Sequence, residues 1–178
     1  MKLTPWKPLR EKILLDEYGK KIVKKIFLMP DGKERDWNLK VEKNACCILP
    51  LTSDSRVILA RQFRPGPGKI LDELPGGYIE ETDDNPESSV LRELIEETGY
   101  SGDVKFVGTC FDDAYSTLIR YCYVAINCRK IKEVEYNQDE FVEIKEVEIT
   151  EFRKKLRSGE MTDIEVGYLC LDFLDLLK

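Results

Sequence analysis

The sequence predicts an α+β fold, and three features of the chain support this prediction. Apolar runs bounded by turn residues indicate buried strands at residues 44–51 and 56–63. Clear start and stop signals indicate a helix at about residues 86–98. The last segment, 163–178, has the wide apolar face of a helix that packs on a core. A chain of 178 residues can bury a full core as one domain, or as one domain with a small appendage.

Residues 1–42 are expected to form a small antiparallel unit. Strand-like runs at 21–29 and 34–42 flank the Pro-Asp-Gly turn at 30–32, which favours a hairpin. A hairpin of this length is marginally stable alone, so we expect it to pack on another surface.

The helix at 86–98 has the best-defined ends. Asn85 is a suitable N-cap, and Pro86 suits the first helical position, where a missing N–H costs nothing. Gly99 can adopt the left-handed conformation that ends a helix. At about 100° per residue, one side of the helix is apolar and the other is acidic. The apolar side contains Val90, Leu91, Leu94 and Ile95, and the acidic side contains Glu93, Glu96 and Glu97.

The second half of the chain continues with strands and helices. A turn is expected at 101–103, before strands at 104–111 and 117–127. The stretch 128–147 reads as a polar loop followed by a strand. We expect the following helix at 149–160, with Thr150 as its N-cap and Gly159 as its stop, and then the closing helix. The predicted apolar face of the closing helix contains Ile164, Tyr168, Leu171, Leu174 and Leu177.

Three glutamates within one helical turn suggest a cation site. Glu93, Glu96 and Glu97 repel one another, and Arg92 can neutralise only part of their charge. Hard divalent cations with oxygen ligands are the natural counter-charge. The alternative is a solvated acidic face, which is what most charged helix surfaces are. A structural Ca²⁺ loop at 80–84 is disfavoured because the acidic residues lack EF-hand spacing.

Composition restricts the possible partners and the compartment. The net charge of −6 and pI near 5.0 disfavour long nucleic acids, whose binding depends on basic patches. No apolar run approaches the roughly 20 residues that span a bilayer, and the N-terminus lacks the apolar region of a signal peptide. We therefore expect a cytoplasmic protein with no membrane partner.

The cysteine and histidine content narrows the possible chemistry. None of the six cysteines has C-x-x-C spacing, and most lie in apolar strand-like runs, which favours free buried thiols. A zinc site or a disulfide framework is the alternative. The sequence contains no histidine, so acid–base chemistry must come from other side chains.

The segment Arg-Glu-Leu-Ile-Glu-Glu-Thr-Gly-Tyr at 92–100 resembles the Nudix box, R-E-U-x-E-E-x-G-U, in which U is apolar. All five fixed letters are present, and Gly76, Gly77 and an acidic loop precede them. The family usually has five residues between its early glycine and early glutamate, and then seven before the arginine. Counting back from Arg92 reaches Asp84 instead of a glutamate, so the loop is expected to be one residue longer.

The resemblance implies a fold and a reaction. The fold would be an α/β/α sandwich with a mixed sheet over residues 43–178, with the N-terminal unit appended. The reaction would be metal-assisted attack of water on a phosphoanhydride, with Mg²⁺ or Mn²⁺ as cofactor. Glu96 would also act in catalysis, and Arg92 would orient the carboxylates. The implied metal ligands are Glu93, Glu96, Glu97 and the backbone carbonyl of Gly76.

Other segments resemble the ADP-ribose pyrophosphatase branch of the family. The segment at 61–65 matches a Q-x-R-P pattern in which the arginine, here Arg64, contacts substrate phosphate. A guanidinium fits phosphate oxygens well, although an ion pair with Asp72 or Glu73 is the alternative. Glu73 matches a Glu-Leu-Pro segment that lies near the substrate.

The N-terminal unit and a late loop would complete such a site. In this branch N-terminal strands form a homodimer and are often exchanged between subunits. A tryptophan matching Trp37 stacks there on the nucleobase in the partner's site, whereas packing within the hairpin is the alternative. A loop carboxylate serves as metal ligand or base. Glu140 matches it best, with Asp139 and Glu135 as alternatives.

The expected activity is hydrolysis of a nucleoside diphosphate linked to a second group. ADP-ribose or another nucleotide-sugar is the leading substrate, with a nucleoside monophosphate and a sugar phosphate as products. Asp113 and Ala114 replace the branch's usual Pro-Gly pair, which weakens the assignment to ADP-ribose. The alternatives are a non-catalytic, Nudix-like nucleotide-binding regulator, or a hydrolase of RNA caps or dinucleoside polyphosphates. The acidic pI disfavours an RNA cap.

Overall fold

The computed structural model describes residues 3–134 and 141–177. The chain divides into two compact units. The first contains Met1–Asn44 and Phe111–Ile119, and the second contains Ala45–Cys110 and Arg120–Lys178.

The first unit is built on a three-stranded antiparallel sheet. Its strands are β1 (Lys7–Glu17), β2 (Lys20–Leu28) and β3 (Glu34–Val41), in the order β1-β2-β3. The predicted hairpin is confirmed as β2 and β3, with Gly32 at a φ of 78° in the turn. Strand β1 was not predicted, because its apolar residues do not alternate regularly with polar ones.

An aromatic cluster packs within this unit. The ring of Trp37 lies 4.8 Å from that of Trp6 and 5.7 Å from that of Phe27, measured between centroids. Trp37 is partly buried, while 39% of Trp6 is exposed. Trp37 therefore packs within the N-terminal unit, as the alternative interpretation proposed. Nucleobase stacking by Trp37 stays a prediction.

The segment Phe111–Ile119 joins the first unit through Lys40. The backbone N–H of Lys40 donates to the Tyr115 carbonyl at 2.8 Å, and its ammonium lies 2.8 Å from both Asp112 and Asp113. This segment contains the residues that replace the Pro-Gly pair of the branch. No sequence pattern assigned this segment to the N-terminal unit.

The second unit contains the main sheet, whose strand order is β10-β5-β4-β9-β8. Strand β6 pairs with β5, and β7 pairs with β4. Strand β4 runs parallel to β9 and antiparallel to β5 and β7, which makes the sheet mixed. The strands are β4 (Ala45–Thr52), β5 (Arg56–Arg64), β6 (Lys69–Glu73), β7 (Gly76–Tyr78), β8 (Tyr100–Phe111), β9 (Ile119–Lys130) and β10 (Glu143–Glu148).

Helices cover both faces of this sheet, which confirms the α/β/α arrangement. They are α1 (Pro86–Thr98), α2 (Ile149–Ser158) and α3 (Ile164–Phe173). Alternate residues of β4 point to opposite faces. Leu49 packs in one core cluster with Phe152 of α2 and Leu171 of α3. Ile48 packs in the other cluster with Leu94 of α1.

The predicted ends of α1 are confirmed, and those of the later helices are partly wrong. The Asn85 side chain accepts from the Ser88 N–H at 2.9 Å, and Gly99 is left-handed with a φ of 75°. Helix α2 ends at Gly159 as predicted, but its N-cap is Glu148. Thr150 lies inside the first turn, so its predicted capping role is wrong.

The closing helix is shorter than predicted, and its predicted apolar face is confirmed in part. It ends at Phe173. Leu171 is buried and Ile164 and Leu174 pack against the core, whereas Tyr168 and Leu177 are 36% and 37% exposed. The other buried positions are Val166, Gly167 and Cys170. Gly167 allows this approach, because a Cβ there would lie 2.5 Å from a methyl group of Leu156. A hydrophobicity count overlooks glycine, which explains why Gly167 was not predicted.

The predicted turn at 101–103 is also wrong, because these residues belong to β8. A Cβ at Gly102 would lie 2.7 Å from both the Cys128 Sγ and the Ile126 carbonyl oxygen. This glycine therefore permits close strand packing rather than a turn. All six cysteines are free thiols, as predicted. Within the described ranges, no helix is both long enough and apolar enough to cross a membrane.

Candidate active site

The candidate site forms where α1 packs against β7, and two glycines allow the close packing around it. A Cβ at Gly76 would overlap the carbonyl oxygen of Cys46, so this glycine lets β7 pair closely with β4. A Cβ at Gly77 would lie 2.5 Å from Oε1 of Glu93. The absence of a side chain at Gly77 therefore lets the Glu93 carboxylate approach the backbone of β7.

Glu97 makes the closest polar contact between the helix and this strand. Its Oε2 accepts a hydrogen bond from the Gly76 N–H at 3.0 Å. Burial raises the pKa of Glu97 to about 8, which the Gly76 N–H opposes and the charge of Glu93 reinforces. The carboxylate form is thus held in a position where its charge is poorly compensated.

The other two glutamates of the motif differ in exposure. The Glu93 side chain is 15% exposed, and burial raises the pKa of its carboxyl group, although Arg92 opposes this shift. The Glu96 side chain is 54% exposed. The three glutamates therefore differ in exposure along the acidic side of the helix, because Glu93 and Glu97 lie against β7 while Glu96 faces solvent.

Arg92 connects the helix to the preceding loop. Its Nη1 donates to Glu93 Oε1 at 2.9 Å and to Glu96 Oε2 at 3.0 Å. Its Nε and Nη2 donate to the two oxygens of Asp83, both at 3.1 Å. These bonds lower the pKa of the Asp83 carboxyl group well below its usual range. Arg92 thus contacts three carboxylates, and the orienting role inferred for it stays a prediction.

The early acidic residue of the motif is Asp83, and its assignment to Asp84 is wrong. Asp84 is exposed, whereas the Asp83 side chain is 7% exposed and also accepts from the Glu80 N–H at 2.9 Å. Five residues separate Gly77 from Asp83, which is the usual family spacing. The extra residue therefore lies between Asp83 and Arg92.

A second charged group is centred on Glu73. This side chain is 2% exposed and accepts from Arg64 Nε at 2.7 Å, from Arg64 Nη2 at 2.5 Å and from Gln62 Nε2 at 3.1 Å. Arg64 therefore forms an ion pair with Glu73, as the alternative to phosphate binding proposed. The Arg64 side chain is still 45% exposed, and three of its five N–H groups point elsewhere. Glu73 is positioned to hold Arg64 rather than to reach solvent.

Asp163 was not identified from the sequence, and its Oδ1 lies 3.7 Å from Nη1 of Arg120. Its backbone is left-handed, with a φ of 55°, which is unusual for a residue with a side chain. Burial raises its pKa, and the charge of Glu73 contributes to the shift. Asp163 also raises the pKa of Arg64, after the larger effect of the hydrogen bond to Glu73. The sequence signal that could have identified Asp163 is its position immediately before the closing helix.

The carboxylates of Glu93, Glu96 and Glu97 could hold a hard cation, although their oxygens do not converge on one point. Among residues 3–134 and 141–177, no three carboxylates or thiols converge as a formed metal site. The donor set nevertheless suits Mg²⁺ or Mn²⁺, because Glu93 and Glu97 are buried carboxylates beside a backbone that could add a carbonyl oxygen. Glu140, Asp139 and Glu135 lie outside the described residues.

Comparison with known proteins agrees with this arrangement. Residues 41–164 match the NUDIX domain family. The chain is 31% identical to the ADP-ribose pyrophosphatase of Bacillus subtilis (strain 168) over 143 residues, covering 79% of this chain and 77% of that protein. It is 36% identical to the ADP-sugar pyrophosphatase of Mus musculus over 105 residues, covering 53% of this chain and 48% of the mouse protein.

A solved structure described as an ADP compounds hydrolase shares the fold. It superposes with a TM-score of 0.84 over 98% of this chain and 97% of its own, at 16% sequence identity. The family match extends over well more than half of the sequence and includes the helix, the paired glycines and the arginine network described above. The chain therefore belongs to the Nudix family of hydrolases, in the branch that resembles the ADP-ribose pyrophosphatases.

Proposed function

We propose that this enzyme hydrolyses the diphosphate bond of a nucleotide-sugar, with ADP-ribose as the first candidate. The products would be a nucleoside monophosphate and a sugar phosphate. The names of the Bacillus subtilis and mouse relatives support this substrate class. The observation that carries the proposal is Glu97, a buried carboxylate held by the Gly76 N–H on the helix that bears the family motif.

The charged groups of the site suit a diphosphate. Arg64 is fixed by the buried carboxylate of Glu73, and its remaining N–H groups can donate to phosphate oxygens. Fixing the guanidinium in advance reduces the conformational entropy that binding would cost. Arg92 performs a similar positioning role for Glu93 and Glu96.

A divalent cation, Mg²⁺ or Mn²⁺, is part of this proposal. Glu93, Glu96, Glu97 and the Gly76 carbonyl are the groups that would hold it. When bound, such an ion offsets the diphosphate charge and lowers the pKa of coordinated water. Because Arg92 already contacts Glu93 and Glu96, it can keep both side chains oriented while their other oxygens remain available.

Three further assignments remain predictions. Glu140 is proposed as the carboxylate that takes a proton from the attacking water, with Asp139 and Glu135 as alternatives. Trp37 is proposed to stack on the nucleobase. The N-terminal unit is proposed to form a homodimer.

The decisive experiment is an assay of the full chain with ADP-ribose and other ADP-sugars, with Mg²⁺, with Mn²⁺ and with chelator. We expect AMP to appear with a metal ion and to disappear with chelator. Glu97→Gln should lower kcat by at least about 10²-fold, because a carboxylate that supports the reaction is lost.

The matched control is Glu87→Gln, which removes a carboxylate from an exposed position in the first turn of the same helix. Its kcat should equal that of the wild type. Absence of AMP from every ADP-sugar with either metal would refute the substrate class. Normal turnover by Glu97→Gln would refute the assigned site.

A further inference from the structure

A cavity of about 260 Å³ lies beside helix α2 and has no part in the proposed reaction. Its lining includes Arg61 from β5, Ile70 and Asp72 from β6, and Lys154 and Lys155 from α2. Arg61 pairs with Asp72 across the β5–β6 hairpin. Because side chains alternate along a strand, Arg61 and Asp72 point away from the face that carries Arg64 and Glu73.

Asp72 gives this cavity an unsatisfied hydrogen-bond acceptor. The residue is 8% exposed, and its Oδ2 accepts from Lys155 Nζ at 2.6 Å. Its buried Oδ1 has no hydrogen-bond partner in the part of the chain that the structure describes. The Nε of Arg61 is 3.9 Å from this oxygen, which is too long for a hydrogen bond. A buried acceptor without a donor is costly, so a ligand O–H or N–H that Oδ1 meets after a rotation of the carboxylate would relieve this cost.

The charges around the cavity indicate that this ligand is neutral. Three cationic side chains line it, and three carboxylates balance them. A free phosphate would face the carboxylates, and a free metal ion would face the cations. Hydroxyl groups avoid both conflicts, because each can donate to a carboxylate and accept from an ammonium or guanidinium. The cationic side chains are Arg61, Lys154 and Lys155, and the acidic ones are Asp72, Glu151 and Glu160.

An apolar surface adjoins the polar end of the cavity. Ile70 and Phe63 are each 60% exposed. Together with Arg61 they line a neighbouring groove of about 430 Å³. Ligand sites commonly combine such apolar surface with a few polar groups that fix orientation. A sugar ring offers both parts, since its C–H face is apolar and its hydroxyl groups donate and accept.

We propose that this cavity binds a neutral sugar. The Asp72 carboxylate rotates to accept from one hydroxyl group, other hydroxyl groups accept from Lys154 and Arg61, and the C–H face of the ring lies on Ile70. The site is independent of the proposed hydrolysis, because none of these side chains belongs to the candidate active site.

The test is a titration of the full chain, labelled with ¹⁵N, with ribose, glucose and inorganic phosphate in separate NMR experiments. We expect at least one sugar to give saturable shifts at the amides of the cavity residues, and phosphate to give none there. Lys154→Ala and Ile70→Trp should each weaken that affinity by about tenfold or more, through a lost donor and a blocked entrance.

Both substitutions are at exposed positions, so the fold is expected to persist. Ile131→Trp is the control for the bulky change, because Ile131 is 59% exposed and does not line the cavity. Its affinity for the sugar should match the wild type. The proposal is wrong if neither sugar shifts the cavity amides, if phosphate shifts them and sugars do not, or if both cavity variants bind as the wild type does.

Discussion

Asp83 and Glu97 show how two carboxylates of one motif acquire opposite properties. Both oxygens of Asp83 accept from Arg92, so an adjacent cation lowers its pKa well below the usual value. Glu97 accepts from one backbone N–H, and burial raises its pKa to about 8. The first arrangement stabilises the folded chain, whereas burial makes the second carboxyl group costly to ionise without a compensating cation. Asp83 therefore supports the fold, and Glu97 is the residue proposed to support the reaction.

Asp83→Asn is expected to destabilise the chain in a pH-dependent way. The folded-state pKa of Asp83 lies below its ordinary value of 3.8, so its contribution is fully present above pH 3.8. That contribution is lost as the pH falls through the lowered folded-state pKa. The unfolding midpoint of Asp83→Asn in urea should therefore lie below that of the wild type at pH 7. The difference should shrink towards zero under strong acid.

Asp84→Asn is the matched control for this experiment, because Asp84 is the exposed neighbour that sequence counting selected. It should unfold like the wild type at every pH. Equal losses from the two substitutions, or a deficit of Asp83→Asn that persists in strong acid, would contradict the Arg92–Asp83 assignment.

At the scale of single elements, two helix ends share one conformation but differ in their surroundings. Helix α1 stops at Gly99 and α2 stops at Gly159, with φ angles of 75° and 71°. A Cβ at Gly159 would meet nothing within 4 Å, whereas a Cβ at Gly99 would overlap the carbonyl oxygen of Lys132. The Gly99 carbonyl also accepts from the Ile131 N–H at 2.8 Å. The end of α1 is thus fixed by packing as well as by conformation.

Replacing each of these glycines by alanine should separate the two effects. Gly159→Ala should lower the free energy of unfolding by about 1–2 kcal/mol, the cost of a left-handed residue with a Cβ. Gly99→Ala should lose a further 1–3 kcal/mol or so, because the added methyl group also crowds Lys132. Urea denaturation measures both values. Equal losses would show that the chain near Lys132 moves aside without cost.

At the scale of the whole molecule, local chemistry predicted more than tertiary arrangement. The limits of α1 were predictable because Asn85, Pro86 and Gly99 act within a few residues of the helix ends. The sequence could not show that Asp83, rather than Asp84, binds Arg92, because this depends on how the loop packs against the helix. The inward turn of Glu97 likewise depends on β7, a strand of three residues that no periodicity reveals. Asp163 affects the pKa of Arg64 from a chain segment far from the motif.

The same limit applies to the cavity beside α2, whose lining comes from three separate segments. No local pattern brings Arg61, Asp72 and Lys155 together. Only the pairing of β5 with β6 and the packing of α2 make them neighbours.

The N-terminal unit leads to a prediction about the whole assembly. Every residue of β1 is exposed, including Leu9, Ile13, Leu14 and Leu15, which are 38–52% exposed. Register shifts at Leu9 and Leu14 interrupt the regular alternation of side chains along β1, and all four apolar side chains remain exposed. Such surface commonly marks an interaction site, and the resemblance described above suggests a second copy of the chain as the partner.

We therefore expect the wild type to sediment at twice its chain mass of 20.7 kDa. The double variant Ile13→Glu, Leu15→Glu should sediment at the chain mass, because burying two unpaired carboxylates in an interface is strongly unfavourable. Lys12→Glu changes an exposed charge on the same strand and should leave the mass of the assembly unchanged. If Trp37 reaches the partner's site, the monomeric variant should also lose most of its hydrolase activity. A wild type that sediments at the chain mass would show that β1 is not a dimer interface.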